Sequence, residues 1–427
     1  MLKVPAFLGC GIAVFGAACG AAWGVGPDGP TWDPRVVIAT NADPNAALGA
    51  DRMLAYSHWG EPAIAWVDLQ SSINYSQRVR NLGWATVTNP ADGLLFGYAS
   101  PCLAFDRYER PVMAASMAAF AFPTAYPVVG VERFDGTSWM PSGPPLDANA
   151  TPRNVALAID LYGHPAIAWQ SQLSPTVYNL CFAQEAVDGT YTTQIVRADS
   201  GPNEGLSISL AFDSLNRPVI SSVNGNGKLF VSAKDPALGW QSTHILASGV
   251  VEASIAINPL TGRAGVAYTE TSEFVRYIQW DPNANAYTSP VTVDVNAYAR
   301  DPSLAFDRSD GRPAIAYYDR RGYIDSNGSF ENNGNLRFAW FDGSSWRNAL
   351  VDSGGPGADV GLNPSLAFDE YGTGLAGISY FGADGTLYYI EDPPAVPEPC
   401  TVAAMLAGAA AMFGGGRRAR RRNTARL

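Results

Sequence analysis

The sequence predicts an all-β fold, a seven-bladed β-propeller of four-stranded antiparallel blades. Three observations carry that prediction. A motif of about sixteen residues recurs seven times at a spacing near fifty, which is the size of one blade. Each copy reads as strand, turn, strand and then a second hairpin. The last copy lacks a fourth strand, and an unpaired strand at the start of the folded part supplies one.

"PSLAFDRSDGRPAIAYYD", Pro302 to Asp319, is the clearest copy, with relatives in "MLAYSHWGEPAIAWVD", "PCLAFDRYERPVMAAS", "NVALAIDLYGHPAIAWQ", "SISLAFDSLNRPVISS", "ASIAINPLTGRAGVAY" and "PSLAFDEYGTGLAGISY". Aligned on Pro313, the copies place Pro62, Pro111, Pro165, Pro218, Ala264 and Gly374 at the same point, so successive copies are 49, 54, 53, 46, 49 and 61 residues apart. Strand a alternates Leu304 and Phe306 against Ser303 and Ala305. Strand b alternates Ile315 and Tyr317 against Ala314 and Ala316. A large face meeting a small face lets dry sheets nest, whereas a sheet with one wet face would alternate apolar with polar.

Turn chemistry fits the same scheme. Asp106, Asp160, Asp213, Asp307 and Asp369 close strand a, with Ser57 and Asn258 in the other copies, where a side-chain oxygen accepts turn amides. Calcium ligation is the alternative role, but it needs several oxygens converging in one loop. Proline then opens strand b, a strand position that tolerates a missing donor. Strand d opens on Trp84, Trp139, Tyr191, Trp240, Tyr287 or Trp346, and Trp32 heads the lone strand at 31–40. That strand completes blade 7, leaving no open edge.

The expected organisation is a signal peptide at 1–23, a propeller at 30–392 and a tail at 393–427. Blade 1 covers about 50–90, blade 2 about 98–147, blade 3 about 151–199, blade 4 about 204–248, blade 5 about 251–297, blade 6 about 301–352 and blade 7 about 362–391. The leader has one Lys, an Ala- and Gly-rich apolar run and small residues near Ala22, the pattern of a secretory signal. Cys10 and Cys19 raise a lipoprotein alternative that the residues before them do not favour.

At the other end, Pro397, Glu398 and Pro399 precede an apolar segment at 401–416 and an arginine cluster at 417–426 that includes Arg417, Arg418, Arg420, Arg421 and Arg422. Triplet, apolar segment and basic stop in this order resemble the PEP-CTERM sorting signal of exported bacterial proteins. The resemblance covers only the last thirty or so residues. It implies processing by an exosortase-type enzyme, transient anchoring in the inner membrane as a short transmembrane helix, and a final place at the cell surface, outer envelope or extracellular matrix. The segment departs from a full span, being shorter and less apolar than the ~20 residues a helix needs, and Cys400 stands where such signals often have another small residue.

Setting aside the six arginines of the last eleven positions, Lys3 and Glu398 leaves 21 basic against 38 acidic residues, a net −17. Such a body repels phosphate backbones, so nucleic acid is not an expected partner. Cys102 and Cys181 are the only cysteines of the body and read as small buried hydrophobes. Neither a cofactor nor a metal is expected, and the closed ring is expected to be monomeric.

The connections between strands b and c and between d and the next a share one face, and their sequences vary: "DLQSSINYSQ", "SMAAFAFPTAYP", "QSQLSPTVYN" and "DRRGYIDSNGSFENNGN". Binding residues concentrate on such loops. The candidates are Asp319, Arg320, Arg321, Tyr323 and Asp325 of blade 6, as a charged and aromatic grip for a sugar or peptide, and Phe120 and Tyr126 of blade 2, as an apolar patch.

Only His58, His164 and His244 occur, and no nucleophile or zinc motif is present. The turns "FDGTSW" and "FDGSSW" are similar to the Asp-box of BNR/sialidase-like propellers, one residue shorter, which is a structural element of that fold. The expected function is a non-enzymatic binding or structural module, with extracellular polysaccharide or a surface protein as partner. The alternative is a glycan-active hydrolase or lyase on the same scaffold.

Overall fold

The computed structural model describes residues 32–47, 52–88, 101–121, 124–147, 151–198, 207–246, 248–295, 298–320, 323–324, 330–331, 334–355, 357–369 and 374–392. The chain divides into Gly29–Pro394 and the two ends, Met1–Asp28 with Ala395–Leu427. Those ends carry the signal-peptide and sorting-tail expectations, including Pro397 to Pro399 and the arginine cluster, and lie outside the described residues. Among the described residues no helix is long and apolar enough to cross a membrane.

Seven antiparallel sheets follow one another. Blade 1 contains Leu54–Tyr56, Pro62–Val67, Ile73–Val79 and Gly83–Thr88; blade 6 contains Ala299–Phe306, Pro313–Asp319, Asn335–Phe341 and Trp346–Asp352. Blade 5 splits its strand d into Ala286–Tyr287 and Val291–Asp294. Strand a of each blade touches strand a of the next, from blade 1 round to blade 7 and back, so these seven strands line the central channel.

The closing blade pairs Val360–Phe368, Ala376–Gly382 and Leu387–Glu391 with Val36–Ala39, from the other end of the chain. Trp32 takes the part its counterparts take. Trp84, Trp139, Trp240 and Trp346 each pack edge-on against an aromatic of strand c in the preceding blade (Tyr389, Tyr75, Phe182 and Tyr277), and Trp32 meets Phe338 of blade 6 at 5.1 Å. Arg35 adds an ion pair to Asp352 of blade 6 at 2.7 Å.

A second lock spans blades 7 and 1. Arg78 grips Glu391 through two nitrogens at 2.6 and 3.2 Å, and the buried hydroxyls of Tyr56 and Tyr389 meet at 2.7 Å beside it. Gly377 leaves the space for those phenols, since a Cβ there would lie 2.3 Å from the Tyr56 oxygen. We expect Arg78→Met to cost about 2 kcal/mol, between the surface and buried limits for breaking an ion pair. Urea denaturation at pH 7 measures it, and a change within error of zero would mean that the junction is held by the aromatics alone.

Three sequence expectations change in detail. The residue paired with the end of strand a in blade 7 is Ala376, opposite Phe368, where Pro313 opposes Phe306. The alignment on Gly374 is therefore two residues early, because this a-to-b turn is longer and Gly374 lies inside it, donating to the Asp369 carbonyl. The blade-2 segment "SMAAFAFPTAYP", expected as a loop, extends the strands into Pro111–Ala121 and Thr124–Phe134. Third, the serines of the small face do more than save space. Ser209, Ser254, Ser303 and Ser365 each sit four residues before the turn-capping residue, and each hydroxyl accepts the N–H of Ile255, Leu304, Leu366 and Leu54 respectively, in strand a of the next blade. Cys102 holds the same place in blade 2 and donates its thiol to Val155 O at 3.0 Å.

The capping residues behave as expected of turns. Oδ1 of Asp106, Asp160 and Asp213 accepts two amides two and four residues on, Ser57 does likewise, and Asn258 accepts amides two and three residues on. In the Asp-box-like turns, Asp135 and Asp342 accept from Thr137 and Ser138 and from Ser344 and Ser345. Those donors hold both carboxyls low, Asp135 at about 2. Cys102 and Cys181 are buried and unbridged, and burial pushes the Cys181 thiol up to about 12.

Candidate functional site

The convergent polar groups of the variable-loop face sit at the channel mouth, on strand a six residues before each turn cap. That position is polar in every copy: Asp51, Ser100, Asn154, Ser207, Glu252, Asp301 and Asn363. Asp51 and Ser100 lie outside the described residues. Asn154, Asp301 and Asn363 have left-handed backbones, with φ of 49°, 52° and 45°, and each falls at a shift in the register of strand a against strand b. A bulge re-aims the chain at a rim, and Asn and Asp are the side chains that tolerate this conformation.

Glu252, Asp301, Asn363 and Ser207 line a recess of about 40 Å³ together with Pro302 and Pro364. The Asp301 amide donates to Glu252 Oε2 at 2.7 Å, and Thr269 Oγ1 donates to the same oxygen at 3.3 Å. The Asn363 amide donates to Asp301 Oδ2 at 3.3 Å. Both carboxyls are surrounded by protein yet touch solvent through the mouth. Burial, and then the charge of Glu252, push Asp301 up to about 8, and burial raises Glu252 as well. At neutral pH Asp301 therefore keeps its proton.

Beside the recess, Arg300 bonds Glu273 at 3.1 Å and the exposed Arg320 approaches the same carboxylate at 3.8 Å. Tyr298, 53% exposed, takes the Arg320 amide on its carbonyl. Tyr318 donates to Asp359 at 2.8 Å. Arg52, from blade 1, reaches across the channel to the carbonyl of Ile255 in blade 5 at 3.2 Å.

Of the residues expected from the sequence, Arg320 belongs to this rim. Asp319 does not face a ligand: it is 1% exposed, accepts the Tyr298 amide at 3.1 Å and pairs with Arg337 at 2.9 Å. Arg337 also faces Asp294, which takes the Tyr317 hydroxyl at 2.7 Å, so Asp319 belongs to a buried network that ties strand b to strand c and to the d-to-a connection. Tyr323 lies on Tyr323–Ile324, paired with Phe330–Glu331 in a short ribbon. Phe120 and Tyr126 face Ala125 and Ala119 across the blade-2 hairpin. Arg321 and Asp325 lie outside the described residues. Glu252, Asp301, Arg300, Glu273 and Tyr298 were missed. The signal that finds the first two is the invariably polar column six residues before each turn cap.

No family model matches the chain, and no curated protein matches it. Solved structures do. The chain is similar to a polysaccharide lyase of family PL25, an ulvan lyase, at 10% identity and a TM-score of 0.56, covering 83% of this chain and 95% of the lyase. It is also similar to a protein of unknown function from Dyadobacter fermentans, at 14% identity and a TM-score of 0.47, covering 85% and 98%. The fucose-binding lectin of Aleuria aurantia aligns at 12% identity and a TM-score of 0.43, covering 71% and 96%. At 10% identity the likeness to the lyase shows the fold alone, and that fold hosts unrelated functions.

Chemically, two adjoining carboxyls with raised pKa values are groups of the kind that acid–base catalysis uses. Their recess decides what that pair can reach. About 40 Å³ holds roughly three waters at ~10–15 Å³ each, and both carboxyls are engaged by strand-a amides. A sugar ring fits the rim and not the recess.

Proposed function

We propose that the protein is a non-enzymatic binding propeller, exported and sorted to the cell surface, that engages extracellular polysaccharide. The observation that supports this reading is the contrast at the channel mouth. The catalytic-looking pair Glu252 and Asp301 sits in a recess too small for a glycosidic bond, while the neighbouring rim offers Tyr298 with Arg300 and Arg320 sharing the carboxylate of Glu273. Fixed donors and acceptors beside an exposed ring suit a hydroxyl-rich chain, and a body as acidic as this repels an anionic one, which favours a neutral chain.

A glycan array with the folded body tests the reading. Arg320→Ala and Tyr298→Ala are expected to weaken the strongest signal about tenfold each, with no release of reducing ends or unsaturated sugars. Sugar turnover would favour the hydrolase or lyase alternative. Silence on the array and in pull-downs from envelope material would remove the binding reading.

Export and sorting belong to the same proposal and rest on the two ends of the sequence. Replacing Pro397 to Pro399 with alanines in an exosortase-bearing host is expected to change tail processing and surface retention. Fractionation with an antibody to the body reads this out, and unchanged localisation would mean that the tail is not a sorting signal.

A further inference from the structure

We infer that the cleft between blades 2 and 3, on the face opposite the variable loops, is a second binding site, for a single neutral sugar residue. The cleft measures about 290 Å³ and is built from the a-to-b turns of both blades, the end of strand c in blade 2 and the c-to-d turn of blade 3. That volume lies at the lower end of ligand sites.

Its floor is a fixed charge fork. Arg133 holds Glu185 through two parallel bonds at 2.7 and 2.5 Å and lies 3.5 Å from Asp106, whose carboxylate also takes Arg110 at 2.7 Å. Ser142 joins the fork, accepting from Arg133 at 2.8 Å and donating to Glu185 at 3.2 Å. Bidentate pairing fixes the angles of both partners and occupies the buried carboxylates, so the fork presents guanidinium donors, chiefly those of the 44% exposed Arg110, at set positions to sugar hydroxyls. It carries little net charge: two guanidiniums face two carboxylates.

The wall supplies an apolar and aromatic surface. Tyr108 is 62% exposed, with Arg107 at 4.6 Å and Arg110 at 5.2 Å from its ring centre. Among the described residues Arg107 bonds neutral oxygens, Tyr108 Oη and the Tyr162 carbonyl. Val187, 93% exposed, stands on the opposite turn. Gly163 sets the width, because a Cβ there would lie 2.5 Å from Arg107 Cβ. The corresponding groove between blades 7 and 1 carries an Arg–Glu pair of the opposite order, Glu391 on the earlier blade and Arg78 on the next, and is filled by Tyr56 and Tyr389.

This inference rests on the glycan-binding reading but uses another face, so the two fail separately. The probe is a panel of methyl glycosides of neutral hexoses and 6-deoxyhexoses, with methyl glucuronide as the charged member, read by saturation-transfer NMR and calorimetry on the whole folded body. One neutral glycoside is expected to bind, with Tyr108→Ala and Arg107→Met each weakening it at least tenfold and Arg320→Ala leaving it unchanged. Arg133→Lys, which keeps the charge but loses the fork, is expected to weaken it similarly with an unchanged melting temperature. No binding by any glycoside, preference for the glucuronide, or affinity indifferent to Tyr108 and Arg107 would overturn the site. Loss of binding with Arg320→Ala would place the sugar on the rim instead and overturn it as well.

Discussion

A Val37→Pro variant is expected to melt far below the parent, although Val37 is an exposed residue on a four-residue strand. Val36–Ala39 is the only fourth strand blade 7 has, and Val37 pairs with Tyr388 at its centre. Proline there removes a donor and crowds the partner strand, at a cost of about 3 kcal/mol or more. For a body of this size that is roughly 6 °C, at about 2 °C per kcal/mol. Loss of the strand also strands Arg35 away from Asp352 and Trp32 away from Phe338. Val37→Thr is the control: the side chain is 53% exposed, so a β-branched replacement is expected to leave the melting temperature within about one degree. A proline variant that melts with the parent would mean that the ring does not depend on this strand.

The second large effect concerns pH. Asp301 titrates near 8 in the folded protein and near 3.9 when unfolded. Between those values the unfolded chain has lost a proton that the folded one keeps, so stability falls as pH rises from about 4 to about 8 and levels off above. Asp392, pushed up to about 7 by burial and by Asp33, acts in the same direction. Asp301→Asn removes the charge and keeps a side chain that accepts a φ of 52°. The variant is expected to match the parent at pH 4 and to exceed it at pH 8 by roughly 2–5 kcal/mol, read from denaturant curves across that range. A parent more stable than the variant at pH 8 would show that an ionised Asp301 is useful to the fold, and would overturn its raised pKa.

How much of this the sequence disclosed depended on whether a feature repeats locally. Strand alternation, the capping aspartates and the missing fourth strand are all contained within windows of a few residues, and each copy confirms the others. The closure by Trp32 to Ala39 was legible because six other strands open on an aromatic and one such strand had no partner. The hydroxyl contacts between blades were not, since Ser303 and Leu366 are 63 residues apart and a serine on a small face reads as a space-saver. Nor was the pairing of Glu252 with Asp301, which needs the bulge that turns both towards the mouth. The blade-6 insertion attracted attention through composition, and Asp319 shows why composition misleads there: an acidic residue at the end of strand b serves a buried ion pair with Arg337 of strand c.

The serine contacts have a consequence for how the ring comes apart. Each contact points one way, from a blade to its successor, so the seven blades form a chain of latches with a direction. Met53 and Ala156 occupy the latch position in blades 1 and 3 and carry no hydroxyl. The ring is thus two latched arcs, blades 2 to 3 and blades 4 through 7 to 1, meeting at two plain seams. At the first seam the Leu103 amide still reaches the Arg52 carbonyl at 2.8 Å. Sub-global opening follows such boundaries, so amide exchange in weak denaturant is expected to begin on the strand-a amides flanking the two seams, and the two-blade arc is expected to detach before the five-blade arc loosens.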